Sequence, residues 1–323
     1  MFNSSDMRMK PFVILGFPGL SPQYYGPVSA LLFFIYITIF LGNLFILVFV
    51  ITEKSLQKPT YLVFCHLALN DLTFGTVTLP KIISKYWFND STISFYGCFA
   101  QMFFVHYIGA SHSFILMVMG LDRLIAICIP LRYSALITNK LISVLCGSAW
   151  FIPVLLMVVA MTLALPLPFC KSNVIAHCYC DLITITNQAC GGHVQTVVII
   201  TLCNAMFCLL VPLAFILFSY VCIIVAILKM SNAAGRKRTL STCMPQIFIT
   251  SLFYLPRCFV YVANGVGLSF SLDIRILVIL MYSLLPATVN PIIYCFKTQD
   301  IKEMLRKRLK TPIYVYIRQL TGG

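Results

Sequence analysis

Asp122 and Arg123 stand side by side at the end of a long apolar run, Cys98 to Met119, and Arg132 follows soon after Pro130. In hydrocarbon each such charge costs about 2.5–3.5 kcal/mol on the mildest scale, so it marks a membrane boundary or a function. An acid beside a base can hold it at a helix end until something draws the base away. That is the chemistry of a switch. Other polar groups interrupt apolar runs at Gly42-Asn43, Asn70-Asp71 and Asn290-Pro291. A carboxylate in mid-span must find partners or change its protonation state, so Asp71 requires polar neighbours, with Asn43 and Asn290 as the candidates. Pro291 frees a carbonyl one turn earlier, which neighbouring polar groups can satisfy. The set makes a polar core that can hinge and repack. Plain helix–helix glue, about 0.6 kcal/mol per bond, is the simpler use of the same residues.

A second group has the spacing of a pocket. Met102, Val105, His106, Gly109, Ala110 and Ser113 fall on one face of a helix, and Tyr254, Arg257 and Tyr261 are spaced by three and four. Arg257 lies well out along an apolar stretch, so it snorkels, pairs with Asp181 or Asp273, or meets a ligand anion. Thr201, Asn204 and Cys208 are further polar contacts. No acid stands near Val105, which argues against an amine ligand. His106 serves either as a hydrogen-bonded core residue or as a ligand contact. Neither G-x-S-x-G, H-E-x-x-H nor a P-loop occurs, and the pocket group holds no acid–base pair, so no enzyme is expected.

The elements that carry these residues must be membrane helices. The chain has 323 residues, 60% hydrophobic and only 10% charged, against about a quarter charged in soluble domains. A span needs about 20 apolar residues. Seven stretches qualify: Tyr25–Ile51, Pro59–Trp87, Cys98–Ile127, Leu141–Leu165, Val194–Leu228, Leu240–Val266 and Leu272–Phe296. Formal net charge is +14, and its Lys and Arg cluster beside alternate ends of these runs, which is the inner-face bias of a membrane protein and not a nucleic-acid footprint. The bias puts the N-terminus outside and the C-terminus inside. Residues 1–24 then form an outer segment without a cleavable signal, 25–296 the membrane domain and 297–323 an inner tail. Thr298 to Lys310 reads as a short amphipathic helix on the inner leaflet, with Ile301, Met304, Leu305 and Leu309 on one face. Asn3 and, more weakly, Asn89 open glycosylation triplets on the outer side. The seven spans do not divide into inverted halves and show no filter-like loop, which disfavours a transporter or channel.

The motifs, taken in order, resemble those of vertebrate odorant receptors in the rhodopsin-like class of G-protein-coupled receptors. They are Gly42-Asn43, Leu56-Gln57-Lys58-Pro59-Thr60-Tyr61, Leu67-Ala68-Leu69-Asn70-Asp71-Leu72, Met119-Gly120-Leu121-Asp122-Arg123, Pro130-Leu131-Arg132-Tyr133, Ser219-Tyr220, Arg238-Thr239-Leu240-Ser241-Thr242-Cys243 and Pro286-Ala287-Thr288-Val289-Asn290-Pro291-Ile292-Ile293-Tyr294. The resemblance covers nearly the whole chain. Four departures stand out: Leu124 where the family has Tyr, Gly120-Leu121 for an Ala and an aromatic, Gln246 for His, and His112 for Glu. An imidazole does not replace a carboxylate as a cation ligand, so His112 changes the ion- or proton-linked chemistry of the polar core. The pattern suits a diverged, fish-like branch.

The resemblance implies an all-α, seven-transmembrane-helix bundle in the plasma membrane of sensory cilia. It implies a small odorant bound on the Met102–Ala110 face, and a stimulatory olfactory-type G protein that raises cyclic AMP. Asp122, Arg123, Tyr220, Asn290, Pro291 and Tyr294 would carry activation, and Asn43, Asp71 and His112 the polar core. The guess at ligand class, an organic anion, rests on Arg257 with help from His106. A rhodopsin-like receptor for a lipid or peptide is the nearer alternative. By resemblance Cys98 pairs with Cys180 and Cys170 with Cys190, with Cys178 a rival for either bond. His177-Cys178-x-Cys180 has soft-metal ligand types, but disulfide cysteines are not thiolate ligands. No metal or cofactor is expected.

Overall fold

A computed structural model describes residues 10–297 except 267 and 269, together with 301–304. Seven helices are long and apolar enough to cross a membrane. They are α1 (Tyr25–Thr52), α2 (Pro59–Trp87), α3 (Phe95–Cys128), α4 (Asn139–Ala164), α5 (Val194–Leu228), α6 (Ala233–Gly265) and α7 (Leu272–Lys297). In lipid the backbone must satisfy its own polar groups, and the helix does so within each segment. The starts are marked by residues that suit them. Pro59 opens α2, where its missing N–H costs nothing. Ser94 Oγ accepts from Gly97 N–H (3.1 Å) ahead of α3, and Thr138 Oγ1 from Leu141 N–H (3.2 Å) ahead of α4.

Helix α3 is the central pillar. Of its apolar window 67% is buried inside the protein, against 28% for α1 and for α4. It packs on α2, α4, α5 and α6, while α7 pairs with α6 and closes onto α1 and α2. Large apolar side chains such as Phe34, Phe218 and Leu255 point outward on the lipid-facing rim. Gly42 has a packing role: a Cβ there would sit 3.2 Å from Pro291, so its absence lets α1 pass close to the α7 proline. Gly120 likewise faces Ser219 Oγ, where a Cβ would lie at 3.3 Å, and lets α3 approach α5.

The outer end is capped by a three-stranded sheet that the sequence does not announce. β1 (Phe12–Ile14) lies between β2 (Thr92–Ile93), antiparallel, and β3 (Val174–Ile175), parallel. Gly16, at φ +63°, turns the chain after β1, in the left-handed region that glycine enters without strain. Phe17 N–H then donates to Tyr86 Oη (2.8 Å), and Gly19 N–H meets both oxygens of Asp273 (3.2 Å each). Cys98 is bonded to Cys180 with Cα atoms 5.4 Å apart, and Cys170 to Cys190 with Cα atoms 5.9 Å apart. Cys178 is a buried free thiol. Asn89 is exposed, whereas Asn3 lies outside the described residues. On the inner side Ile301 to Met304 are helical; Ile301 is fully buried and Met304 packs on the core. The rest of the expected amphipathic helix, with Leu305 and Leu309, lies outside the described residues.

Replacing Cys180 by Ser is expected to cost about 2–5 kcal/mol, the usual range for a structural disulfide. A lower thermal unfolding midpoint of the purified full chain would show it. An unchanged midpoint would mean that the sheet holds the loop without the bond.

Candidate functional site

Beneath the outer loop, between α3, α5, α6 and α7, lies a cavity of about 180 Å³. Val105, His106, Gly109 and Ala110 line its α3 wall and Arg257 its α6 wall. The Arg257 guanidinium carbon sits 3.9 Å from the Phe253 ring centroid and 4.8 Å from that of Tyr282. Neither candidate acid reaches it. Asp273 is engaged by Gly19 N–H, and Asp181 Oδ1 lies 3.4 Å from His106 Nε2. Among the described residues Arg257 forms no ion pair with a carboxylate.

Asp181 and His106 tie the roof of this cavity to α3. His106 Nε2 faces Asp181 Oδ1, and Asp181 Oδ2 accepts from Thr184 N–H (3.2 Å). Burial alone would raise the Asp181 carboxyl. The hydrogen bond and charge of His106, the charge of His177 and the Thr184 N–H outweigh it and hold the group well below the usual carboxylate range. A carboxyl lowered by folding stabilises the roof at neutral pH, a contribution lost as pH falls below about 4. Gln101 adds a clamp that sequence reasoning missed: Oε1 accepts from Cys180 N–H (3.0 Å) and Nε2 donates to Val77 O (2.9 Å).

Below the cavity, the polar core gathers round Asp71, which is only 3% exposed. Asn290 Nδ2 donates to Asp71 Oδ2 (2.7 Å), and His112 Nδ1 lies 3.4 Å from Oδ1. Asn43 does not reach Asp71. It donates to Ile39 O (2.9 Å) and Ala287 O (3.0 Å), tying α1 to the backbone of α7. That carbonyl lies one turn before Pro291, where the proline leaves an acceptor without its helical donor.

At the inner end of α3, Arg123 Nε lies 3.6 Å from Asp122 Oδ2. Asp122 is held by two further groups: Thr60 Oγ1 donates to Oδ2 (2.9 Å) and Tyr133 Oη to Oδ1 (2.7 Å). Burial, with the adjacent Asp122 charge, pushes the Tyr133 phenol up to about 12, so it remains a donor at neutral pH. Leu124 packs with Ile223, Ile227 and Cys243 between α5 and α6. Among the described residues the hydroxyls of Tyr220 and Tyr294 are buried without a hydrogen-bond partner, and the Tyr294 ring stacks on Phe64 at 4.3 Å.

A sequence profile described as olfactory receptor matches residues 32–311. Human olfactory receptor 51E2 is 35% identical over 306 residues, 93% of each chain. Human olfactory receptor 52N5 is 36% identical over 298 residues, 92% of this chain and 91% of its own, and human olfactory receptor 2AT4 is 33% identical over 296 residues, 92% of each. The chain belongs to the olfactory receptor family. It is therefore an odorant-type G-protein-coupled receptor, a multi-pass membrane protein and not an enzyme.

Not every residue singled out on helical spacing reaches the receptor's outer cavity. Met102 is fully buried in a cluster with Cys98 and Cys180. Tyr254, 3% exposed, makes a short hydrogen bond to Ser113 Oγ inside the bundle. Asn204 is not on the wall, where Thr201, Ala205 and Cys208 represent α5. The Tyr261 side chain lies outside the described residues. Phe253, Tyr282 and Tyr179 line the cavity and were not foreseen. The signal for Phe253, an aromatic one turn from Arg257, and for Tyr179, an aromatic between cysteines, is common in any apolar helix or loop, and Tyr282 carries none.

Thr60→Val removes one hydrogen bond to the Asp122 carboxylate, worth about 1.5–3 kcal/mol when the acceptor is charged. It is expected to raise ligand-independent nucleotide exchange on a reconstituted G protein severalfold. Exchange equal to wild type at equal receptor amount would show that the clasp does not hold the resting state.

Proposed function

We propose that this olfactory receptor takes a small organic anion, such as a carboxylate-bearing odorant, with Arg257 as its anchor and His106 on the facing wall. The observation that carries the reading is that Arg257 lines the cavity against aromatic rings and, among the described residues, forms no ion pair, the Asp181 carboxylate of the same lining being turned to His106. Each ring offers a cation about 0.5–2 kcal/mol, but a ring accepts no hydrogen bond from the guanidinium comparable to that of an anionic oxygen. A cavity of about 180 Å³ suits a compact molecule. The lipid-or-peptide alternative has no comparable feature in its favour.

A ligand that binds one arrangement better shifts the equilibrium by its differential affinity. The active arrangement frees Arg123 from Asp122 and opens a groove bounded by α3, α5 and α6. Tyr220 and Tyr294, whose hydroxyls have no partner here, are the groups available to stabilise it, with Asn290 and Pro291 as the hinge. The coupled partner is a stimulatory, olfactory-type G protein that raises cyclic AMP, in the plasma membrane of sensory cilia. Asn89 and Asn3 carry N-linked glycan in this reading, since both open N-x-[ST] triplets.

Cyclic AMP is measured in cells expressing the receptor with that G protein, against organic acids, matched neutral analogues and amines. Arg257→Gln is expected to lose tenfold or more in potency for acids, about 1.4 kcal/mol, at unchanged surface level, and to spare neutral agonists. Arg123→Ala should abolish the response. Undiminished acid potency in Arg257→Gln would remove the anchor.

A further inference from the structure

The polar core contains a base in an unusual position. Asn70 Nδ2 donates to Ile108 O (2.9 Å), which turns Asn70 Oδ1 toward His112 Nδ1 (3.0 Å). Asp71 Oδ1 lies 3.4 Å from the same nitrogen. Facing two acceptors, Nδ1 carries a hydrogen whether the ring is neutral or charged. Any further proton therefore goes to Nε2, which is buried without a partner. The ring also stacks on Phe253, with centroids 4.5 Å apart and planes 12° apart.

The carboxylate beside it needs a counter-charge. Asp71 is 3% exposed and its other oxygen is met by the neutral amide of Asn290. The charged and titratable groups around the imidazole are Asp71 on α2, Arg257 across the Phe253 ring on α6, and Tyr294 near Asp71 on α7. α1 contributes the neutral Asn43, which bonds elsewhere. Among the described residues, His112 is the one group with a cationic form at ion-pair distance from Asp71.

We propose that His112 Nε2 is a proton-binding site of the receptor core, and that the imidazolium so formed is the counter-charge of Asp71. The site takes a proton where a carboxylate in place of His112 would have called for a separate cation. Occupation pins α3 to α2 and, through Asp71 and Asn290, to α7. Loss of the proton loosens that joint beside Pro291. The Phe253 ring carries Arg257 as well as His112, so the odorant cavity and the proton site bear on one side chain. The proposal stands whether or not the cavity takes anions.

The ion pair with Asp71 exists only while the imidazole carries its second proton, so its contribution to the fold is present at low pH and fades as pH rises. The test is thermal unfolding of the full chain in lipid nanodiscs, at constant ionic strength, from about pH 5.5 to 8.5, where an imidazole changes charge. The wild-type midpoint is expected to fall across this window by roughly 2–5 °C more than that of His112→Gln. Asp71→Asn, which keeps the ring and removes its partner, should flatten the profile in the same way and serves where His112→Gln does not fold. A pH-independent wild-type midpoint overturns the proposal, as does one with the same slope in the variants. So does a wild-type midpoint raised by sodium over potassium, because Asp71 would then be taking a metal cation.

Discussion

A charge inside an apolar bundle must be answered within the protein, and three answers organise this receptor. Asp71 is met by Asn290 and His112, Asp122 by Arg123, Thr60 and Tyr133, and Arg257 by two aromatic faces. They lie at successive depths beside α3, near Gly109, His112 and Asp122. The first two answers are ionic or hydrogen-bonded and close on themselves. The third is open on the cavity side. The asymmetry matters because a guanidinium facing aromatic rings still has N–H groups to offer a ligand anion.

The spans were legible because hydrocarbon imposes a length and an apolar composition that few other environments demand. α2 and α5 have the bounds that the sequence suggests, and α1 and α7 differ by a residue at one end. α6 begins seven residues before the apolar run, at Ala233 instead of Leu240, since a helix can continue past the membrane with Arg236, Lys237 and Arg238 in water. The outer sheet was not legible. Its strands are two or three residues long, too short for an alternating pattern, and its pairings join segments far apart in the chain.

The site was legible by face and not by depth. Helical spacing put Met102 with Val105, His106 and Gly109, but the outer turns of α3 pack under the loop that Cys180 ties down, so Met102 ends in packing. Tyr254 shares a face with Arg257, yet Ser113 captures its hydroxyl. The pairing of Asp71 with Asn290 followed from the cost of burying a carboxylate. The different fate of Asn43 followed from Pro291, whose missing donor leaves a carbonyl that competes for the same amide. Thr60 and Tyr133 stand in family motifs, but only the fold brings the start of α2 and the connection after α3 together round Asp122.

The parallel pairing of β1 with β3 also sets an order of assembly. Val13 and Ile14 are made well before Val174 and Ile175, which emerge only after α4. Since β1 occupies the centre of the sheet, its partner β2 can join it early but the sheet cannot be completed until four helices have crossed the bilayer. Contacts so distant in sequence form late because the intervening chain must first be ordered. The outer cap is thus a report that these helices have been threaded in the correct sense, delivered by a strand made before any of them.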